Sequence, residues 1–437
     1  MKNNPNYHPK KMQNKALEIV KNCFERENSG DLNVRSEALK SLKEVLIRTD
    51  DGSYTIECEG IKETMHTHHG GINESIEKYV KPSNLVGKKS VSILDICSGF
   101  GYTAATIIEY LDNPKNNPIQ PEIHIEMVEI SELTLATALL VPSPLKSHEI
   151  VKKAIENKLY ETGFLKNKLL NEEIPENIHI KIDIEDAREL ILKKSLTNPD
   201  SCAVNTSSGD NIETSMNDDV DNFNCKFDAI FLIAFSPAVS PELYSLEFLM
   251  KLKPLLDDDG IFATFTKSAA VRYALINSGY HLGEGPEFGR SGGTIASLKE
   301  SLIEIPLSYV DERMIALTDA GVPFRDINLK GTGIEIIERR QGEREKARNS
   351  YKFASTVKCP LYLGKHLDDG RLKRRVLRNI KSLGLDDLNS PQAKNLVCPQ
   401  MKDCICGNSC VKIGNSRDRV IEMEKRLNVM VDHELSS

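Results

Sequence analysis

Two rhythms of apolar and polar residues alternate along this chain. In the first fifty residues the apolar positions recur at helical spacing, as at Ala16, Ile19, Val20 and Phe24, which predicts helix. From Val91 onward, short apolar runs alternate with helical stretches. Ile93–Ile96, Ile123–Val128, Ile178–Ile184, Phe227–Ile233 and Gly260–Thr266 read as five buried strands. Thr103–Leu111 reads as the helix after the first of them, and a Leu-rich helix and a DDDG turn precede the fifth. Strands separated by helices predict an α/β fold with a doubly wound, mostly parallel sheet. Two stretches interrupt the pattern. Residues 135–177 add helical material, and 196–224 are rich in Ser, Asn and Asp with almost no large apolar groups, the composition of a disordered surface loop.

The expected organisation is a helical segment at 1–50, a central domain at 51–305 interrupted at 196–224, an extension at 306–340, and a basic, cysteine-rich region at 341–437. With 437 residues, 40% of them hydrophobic, the chain can bury a sizeable core. No apolar run reaches the roughly 18 residues of a membrane span, and no apolar stretch follows the polar start MKNNPNYHPKK. A cytoplasmic location without membrane association is therefore expected. The net charge of −7 argues against a purely electrostatic nucleic-acid binder. Basic stretches at 338–349 and 365–381 nonetheless provide local patches, which also read as solvated helix faces.

The first strand carries the most informative chemistry, VSILDICSGFGYT at Val91–Thr103. A buried strand runs into Asp95, then into the small-residue turn Cys97-Ser98-Gly99-Phe100-Gly101, then into a helix. Glycines there let a ligand approach the backbone closely. The turn matches neither the dinucleotide fingerprint nor the triphosphate loop. Two more acids close later strands, Glu129 after the second and Asp186 after the third. A ligand lying across the carboxyl ends of such a sheet would meet all three acids, although each also reads as a helix cap.

The strand-and-turn motif resembles motif I of the class I S-adenosylmethionine (SAM) methyltransferases. Two further blocks narrow the resemblance. One is Asp51-Gly52-Ser53-Tyr54-Thr55 followed by Glu63-Thr64-Met65-His66-Thr67-His68-His69-Gly70-Gly71-Ile72-Asn73-Glu74. The other joins Phe235-Ser236-Pro237, Pro241-Glu242, Ala263-Thr264-Phe265-Thr266, Ala270-Val271-Arg272 and Phe288-Gly289-Arg290. In this order they resemble the methyltransferase half of the bacterial tRNA wobble-uridine modification enzyme (the MnmC-like family), over about residues 45–300.

That resemblance implies SAM as cofactor, tRNA as partner, and methylation of the exocyclic amine of a modified wobble uridine. It implies cofactor contacts at Asp95, Cys97, Gly99, Gly101, Glu129 and Asp186. Glu129 would accept from the ribose hydroxyls and Asp186 from the adenine amino group. Phe235, Ser236, Pro237, Phe288 and Arg290 are the candidate substrate contacts, with the phenylalanines available for stacking and Arg290 for a phosphate. The two-domain bacterial enzyme also carries an FAD oxidase half, and nothing in this chain resembles it, so no FAD is expected. The family pattern L-D-G-F-A-P reads Leu232-Ile233-Ala234-Phe235-Ser236-Pro237 here, so Ile233 replaces an acid beside the methyl acceptor. Glu74, His66 and His68 are the candidate catalytic replacements if their block folds over the site. Other readings are an acceptor on a protein or small metabolite, and a non-catalytic SAM-binding protein.

The tail adds Cys398-x5-Cys404-x-Cys406-x3-Cys410, four thiols in thirteen residues. Four thiolates suit tetrahedral zinc or an iron–sulfur cluster. Free structural thiols and redox disulfides are the alternatives.

Overall fold

The structure is a computed structural model that describes residues 14–58, 63–197, 226–289, 292–368 and 370–435. The expected disordered loop at 196–224 falls almost wholly outside these residues, as does Arg290. The chain forms two compact units. The first takes in Lys10–Ile233 with Pro254–Ile261, and the second is built mainly from Ala234–Lys253 and Phe262–Ser437.

The first unit opens with α1 (Asn14–Asn28) and α2 (Val34–Leu42). The apolar stripe of α1 buries Ala16, Val20, Cys23 and Phe24. A short hairpin pairs β1 (Ile47–Arg48) with β2 (Tyr54–Thr55). The five-residue helix α3 (Gly71–Ser75) follows, continued by a wider turn over Ile76–Val80. Then come β3 (Ser90–Ile96), α4 (Tyr102–Asp112), β4 (Glu122–Val128), α5 (Glu132–Ala138) and α6 (Ser147–Glu161). The unit continues with β5 (Ile178–Asp183), α7 (Ala187–Thr197) and β6 (Phe227–Leu232). After Ser90, every residue of β3 is buried, the continuous apolar pattern of a parallel strand covered on both faces. β3 pairs in parallel with β4 on one side and β6 on the other, and β4 pairs in parallel with β5. Arg35 ties the amino-terminal helices to α6 by donating to Glu27 at 2.6 Å and to Glu156 at 3.4 Å.

The second unit contains α8 (Leu246–Leu252), α9 (Ala269–Asn277), the antiparallel pair β8 (His281–Glu284) and β9 (Thr294–Ser297), and α10 (Tyr309–Leu317). It ends with α11 (Gly333–Ser350), α12 (Gly370–Lys381), α13 (Pro391–Val397) and α14 (Ser416–Leu435). Helix α10 occupies the expected extension, and α11 runs through position 340, where a boundary is expected. A capping box at Thr332 and Glu335 starts α11.

With β7 (Leu256–Thr264), the strands make one seven-stranded, mostly parallel sheet in the order β5-β4-β3-β6-β7-β9-β8. The chain's order reverses at β3, and the crevice at the carboxyl ends of β3 and its neighbours is where ligands of doubly wound sheets bind. The expected DDDG turn is instead part of β7. Its Gly260 lies so close to its neighbours that a Cβ would come within 2.9 Å of the Phe227 carbonyl oxygen, so this glycine serves strand packing.

Candidate functional site

The glycine turn at the end of β3 is shaped by three residues in the left-handed region, Cys97 (φ 65°), Gly99 (φ 56°) and Gly101 (φ 76°). Cys97 adopts this conformation with a side chain, which costs energy that its surroundings must supply. The Cys97 N–H donates to the Val128 carbonyl at 2.8 Å, so the turn is fastened to the end of β4. Gly101 leads into α4, whose first residues Tyr102 to Ile108 are all buried.

Asp95 lies inside β3 and is fully buried. Among the described residues neither of its carboxylate oxygens has a hydrogen-bond partner. A buried carboxylate without donors is costly. Burial, with the added charge of Glu129, pushes its pKa up from 3.8 to about 7. Glu129 follows β4 and is held to the turn. Its carboxylate accepts from the Gly99 N–H at 3.2 Å and from the Ser131 N–H at 3.1 Å. Burial raises its pKa to about 7 despite those donors. Asp186 stands after β5 as expected, but its carboxylate already accepts from the Arg188 N–H at 2.9 Å and pairs with that guanidinium at 2.7 Å.

The histidine block closes over this turn. Met65 reaches Gly99 so closely that a Cβ on the glycine would sit 2.7 Å from the Met65 methyl. The Tyr54 N–H donates to the Tyr102 hydroxyl at 3.1 Å, and the Ser75 and Thr103 hydroxyls meet at 3.0 Å. His66 packs edge-on to Tyr102 with ring centroids 5.9 Å apart. Burial depresses the His66 pKa, against the opposing pull of Glu74 and Asp51, so His66 is mostly neutral at pH 7. The Glu74 carboxylate accepts from the Thr67 N–H at 3.1 Å and pairs with Lys78 at 3.4 Å. His68 is not in this group. It is exposed and lies against His69, ring centroids 3.9 Å apart, near Asp50.

Asp51 and Ser53 organise the block, although the sequence assigned neither a role. The Asp51 carboxylate accepts from the N–H groups of Ile72 at 3.0 Å and Asn73 at 2.9 Å, capping α3, and from Ser53 and Thr49. Burial would raise its pKa, yet the donors from Ser53, Asn73 and Thr49 outweigh this and hold it low. The Ser53 hydroxyl accepts from the Gly71 N–H at 3.0 Å. Gly70 (φ 100°) must be glycine, since a Cβ there would lie 2.0 Å from the Asp51 carboxylate. The signal was the pairing of D-G-S with the later H-G-G. Tyr102 and His148 were also missed. Their rings stack at 4.9 Å, His148 Nε2 lies 2.8 Å from the Phe100 carbonyl, and burial pushes the His148 pKa down to about 4.

Ile233 sits just beyond β6, and its N–H donates to the Ile96 carbonyl at 3.1 Å. The position of the family's missing acid is thus at the carboxyl ends of β3 and β6. Phe235, Ser236, Pro237 and Phe288 are half-buried in the second unit. Arg272 of the A-V-R motif is fully buried there, donating to Glu284 at 2.8 Å, Asp311 at 3.0 Å and the Thr294 hydroxyl at 2.9 Å. It holds the second unit's core together. The second unit also brings together the sulfurs of Cys398, Cys404, Cys406 and Cys410.

A sequence family described as S-adenosyl-L-methionine-dependent methyltransferase matches residues 184–300. The crystal structure of MNMC2 from Aquifex aeolicus is 26% identical, with a TM-score of 0.51, and the match covers 76% of this chain and all of that one. This chain is a SAM-dependent methyltransferase that resembles MNMC2. An uncharacterized protein of Methanocaldococcus jannaschii is 29% identical to the methyltransferase over 383 residues, 86% of this chain and 93% of that protein. The cofactor of the enzyme is SAM. The residues at the crevice fit it. SAM carries amino and hydroxyl donors, and Asp95 presents two buried oxygens that lack them. No helix among the described residues is long and apolar enough to cross a membrane.

Proposed function

We propose that this methyltransferase acts on tRNA, on an amine of a modified wobble uridine, in the cytoplasm. The observation that carries the reading is the interlock of the histidine block with the glycine turn. It combines the D-G-S and H-G-G motifs of the resemblance in one packed unit at the carboxyl end of β3. The likeness to MNMC2 and the basic helix α12 support it. That helix, GRLKRRVLRNIK, has no acidic residue. It buries Val376 and Ile380 and exposes Arg371, Lys373, Arg374, Arg375, Arg378 and Lys381. A strip of this kind suits a phosphate backbone even on a chain of net charge −7.

Asp95 and Glu129 would hold the cofactor, with Cys97, Gly99 and Gly101 giving the close backbone approach. Asp186, with its Arg188 partner, would border the adenine. Bound SAM supplies a methyl carbon made electrophilic by its sulfonium. The lone pair of an acceptor amine would take that methyl group, the C–S bonding electrons staying on sulfur, and the nitrogen would then have a proton to lose. His66, kept neutral by burial, is suited to take that proton directly or through water, and Glu74 to orient the block. His68, exposed beside His69, is outside this arrangement. Phe235, Ser236, Pro237, Phe288 and Arg290 remain the proposed acceptor contacts. Because catalysis here is mostly positioning, loss of the acid at Ile233 leaves the transfer feasible.

Ile233 also favours a second reading, a protein or small-metabolite acceptor. Nucleoside analysis of tRNA lacking the modification, before and after incubation with the enzyme and SAM, separates the two. A new methylated wobble uridine supports the first reading, and unchanged nucleosides reject it.

A further inference from the structure

We infer that Cys398, Cys404, Cys406 and Cys410 form a mononuclear tetrathiolate zinc site that fixes the loop between α13 and α14. The inference rests on the second unit alone and stands whether or not the acceptor is RNA. Cys398 closes α13, and the other three lie in the irregular stretch that follows. All four sulfurs lie within 4.8 Å of one another. Successive sulfurs are 3.8, 3.6 and 3.4 Å apart.

Those spacings limit the chemistry to a single ion. Disulfide sulfurs sit about 2.0 Å apart, so these four are unbonded thiols. Zinc–sulfur bonds of about 2.3 Å in a regular tetrahedron put ligand sulfurs about 3.8 Å apart. A cubane iron–sulfur cluster binds each thiolate on a different iron at its corners and needs a wider frame. The observed set therefore matches four ligands around one ion. The backbone is bent to make it so, with Gly407 (φ 83°) and Ser409 (φ 49°) in the left-handed region between Cys406 and Cys410.

The surroundings suit the charge. Four thiolates around Zn²⁺ leave a net negative site, and donors face the sulfurs. The Ile405 N–H donates to Cys398 Sγ at 3.4 Å, and the N–H groups of Cys406 and Cys410 hydrogen-bond Cys404. The Arg426 guanidinium, from α14, donates to Cys410 Sγ at 3.4 Å and to the Asn395 carbonyl at 2.9 Å on α13. Such outer partners orient ligands and offset their charge. The loop has little else to fold around, with Val411 87% exposed and Ile405 38% exposed. A closed four-ligand site of this kind supplies folding energy rather than catalysis.

The test is elemental analysis of the full chain, purified without oxygen because thiolates oxidise, beside a Cys404→Ser/Cys406→Ser variant that spares the buried Cys398. Expected are one zinc per wild-type chain, no inorganic sulfide, and no zinc in the variant. Loss of the ion should speed tryptic cleavage at the exposed Lys402 and Lys412 by about tenfold or more. Circular dichroism and SAM binding, retained by the variant, exclude global unfolding as the cause. Iron in place of zinc, a wild-type chain with four reactive thiols and no metal, or a variant that keeps its zinc overturns the assignment.

Discussion

Replacing Asp95 by asparagine removes a charge that the ligand-free fold holds at a cost. Burial and Glu129 raise its pKa from 3.8 to about 7. A folded-state pKa above the unfolded value means the native state binds the extra proton. The stability this gives is fully present below the unfolded value and is lost as pH rises through about 7. A tenfold difference in proton affinity between the two states is worth about 1.4 kcal/mol, so ionising Asp95 costs the native state up to about 4 kcal/mol at pH 8. D95N should therefore be more stable than the wild type without SAM. The gain should be negligible near pH 4, grow with pH, and level off above about 7, reaching about 2–4 kcal/mol. Denaturant unfolding at pH 5 and pH 8 measures it. The same change would remove the charged acceptor proposed for the cofactor. Loss of a charge-assisted bond of about 1.5–3 kcal/mol weakens SAM binding roughly 10- to 150-fold. Wild-type affinity should fall as pH drops below about 7, as Asp95 becomes protonated, and that pH dependence should be shallower in D95N. Calorimetric titration reads both. Affinity within about twofold of wild type, with an unchanged pH slope, would refute the reasoning.

Other outcomes follow from the same geometry. Gly70→Ala should disrupt the histidine block, because its Cβ would lie 2.0 Å from the Asp51 carboxylate. Thermal unfolding should show a loss of several kcal/mol, whereas Gly163→Ala, with open space around it, should cost about 1 kcal/mol. Arg272→Ala leaves Glu284 and Asp311 without their buried partner. About 3–5 kcal/mol should be lost in urea melts, and a neutral result would show that the ion pairs are dispensable. Changing Arg374 and Arg378 of α12 to glutamate should weaken tRNA binding and lower its salt slope by about one or more per site, with SAM affinity unchanged. An unaltered slope in filter-binding assays would remove α12 from the RNA surface.

The central strands were legible because parallel strands covered on both faces read as continuous apolar runs, as in Val91–Ile96. The glycine turn was legible because Gly99 and Gly101 mark a backbone that can bend left-handed, whereas nothing in the sequence marked Cys97 for that conformation. Asp257–Gly260 misled because three acids and a glycine look like a turn. The paired strand overrode that preference, and the closeness of Gly260 to Phe227 shows why the glycine is there. Asp51 could not be assigned from spacing, since its role is to receive N–H groups from Ile72 and Asn73, about twenty positions later. His66 and His68 looked equivalent in H-T-H-H. Only packing sends one against Tyr102 and the other toward solvent. The cysteine spacing left zinc and iron–sulfur open, and the distances between the sulfurs favour the single-ion site proposed above.

The most direct test of the account is methyl transfer from labelled SAM to two pools, bulk tRNA and an RNA-free cell extract. Label is predicted to enter tRNA and, after digestion, to reside on a wobble uridine bearing an amine. Label entering only the RNA-free pool would contradict the assignment of tRNA as acceptor.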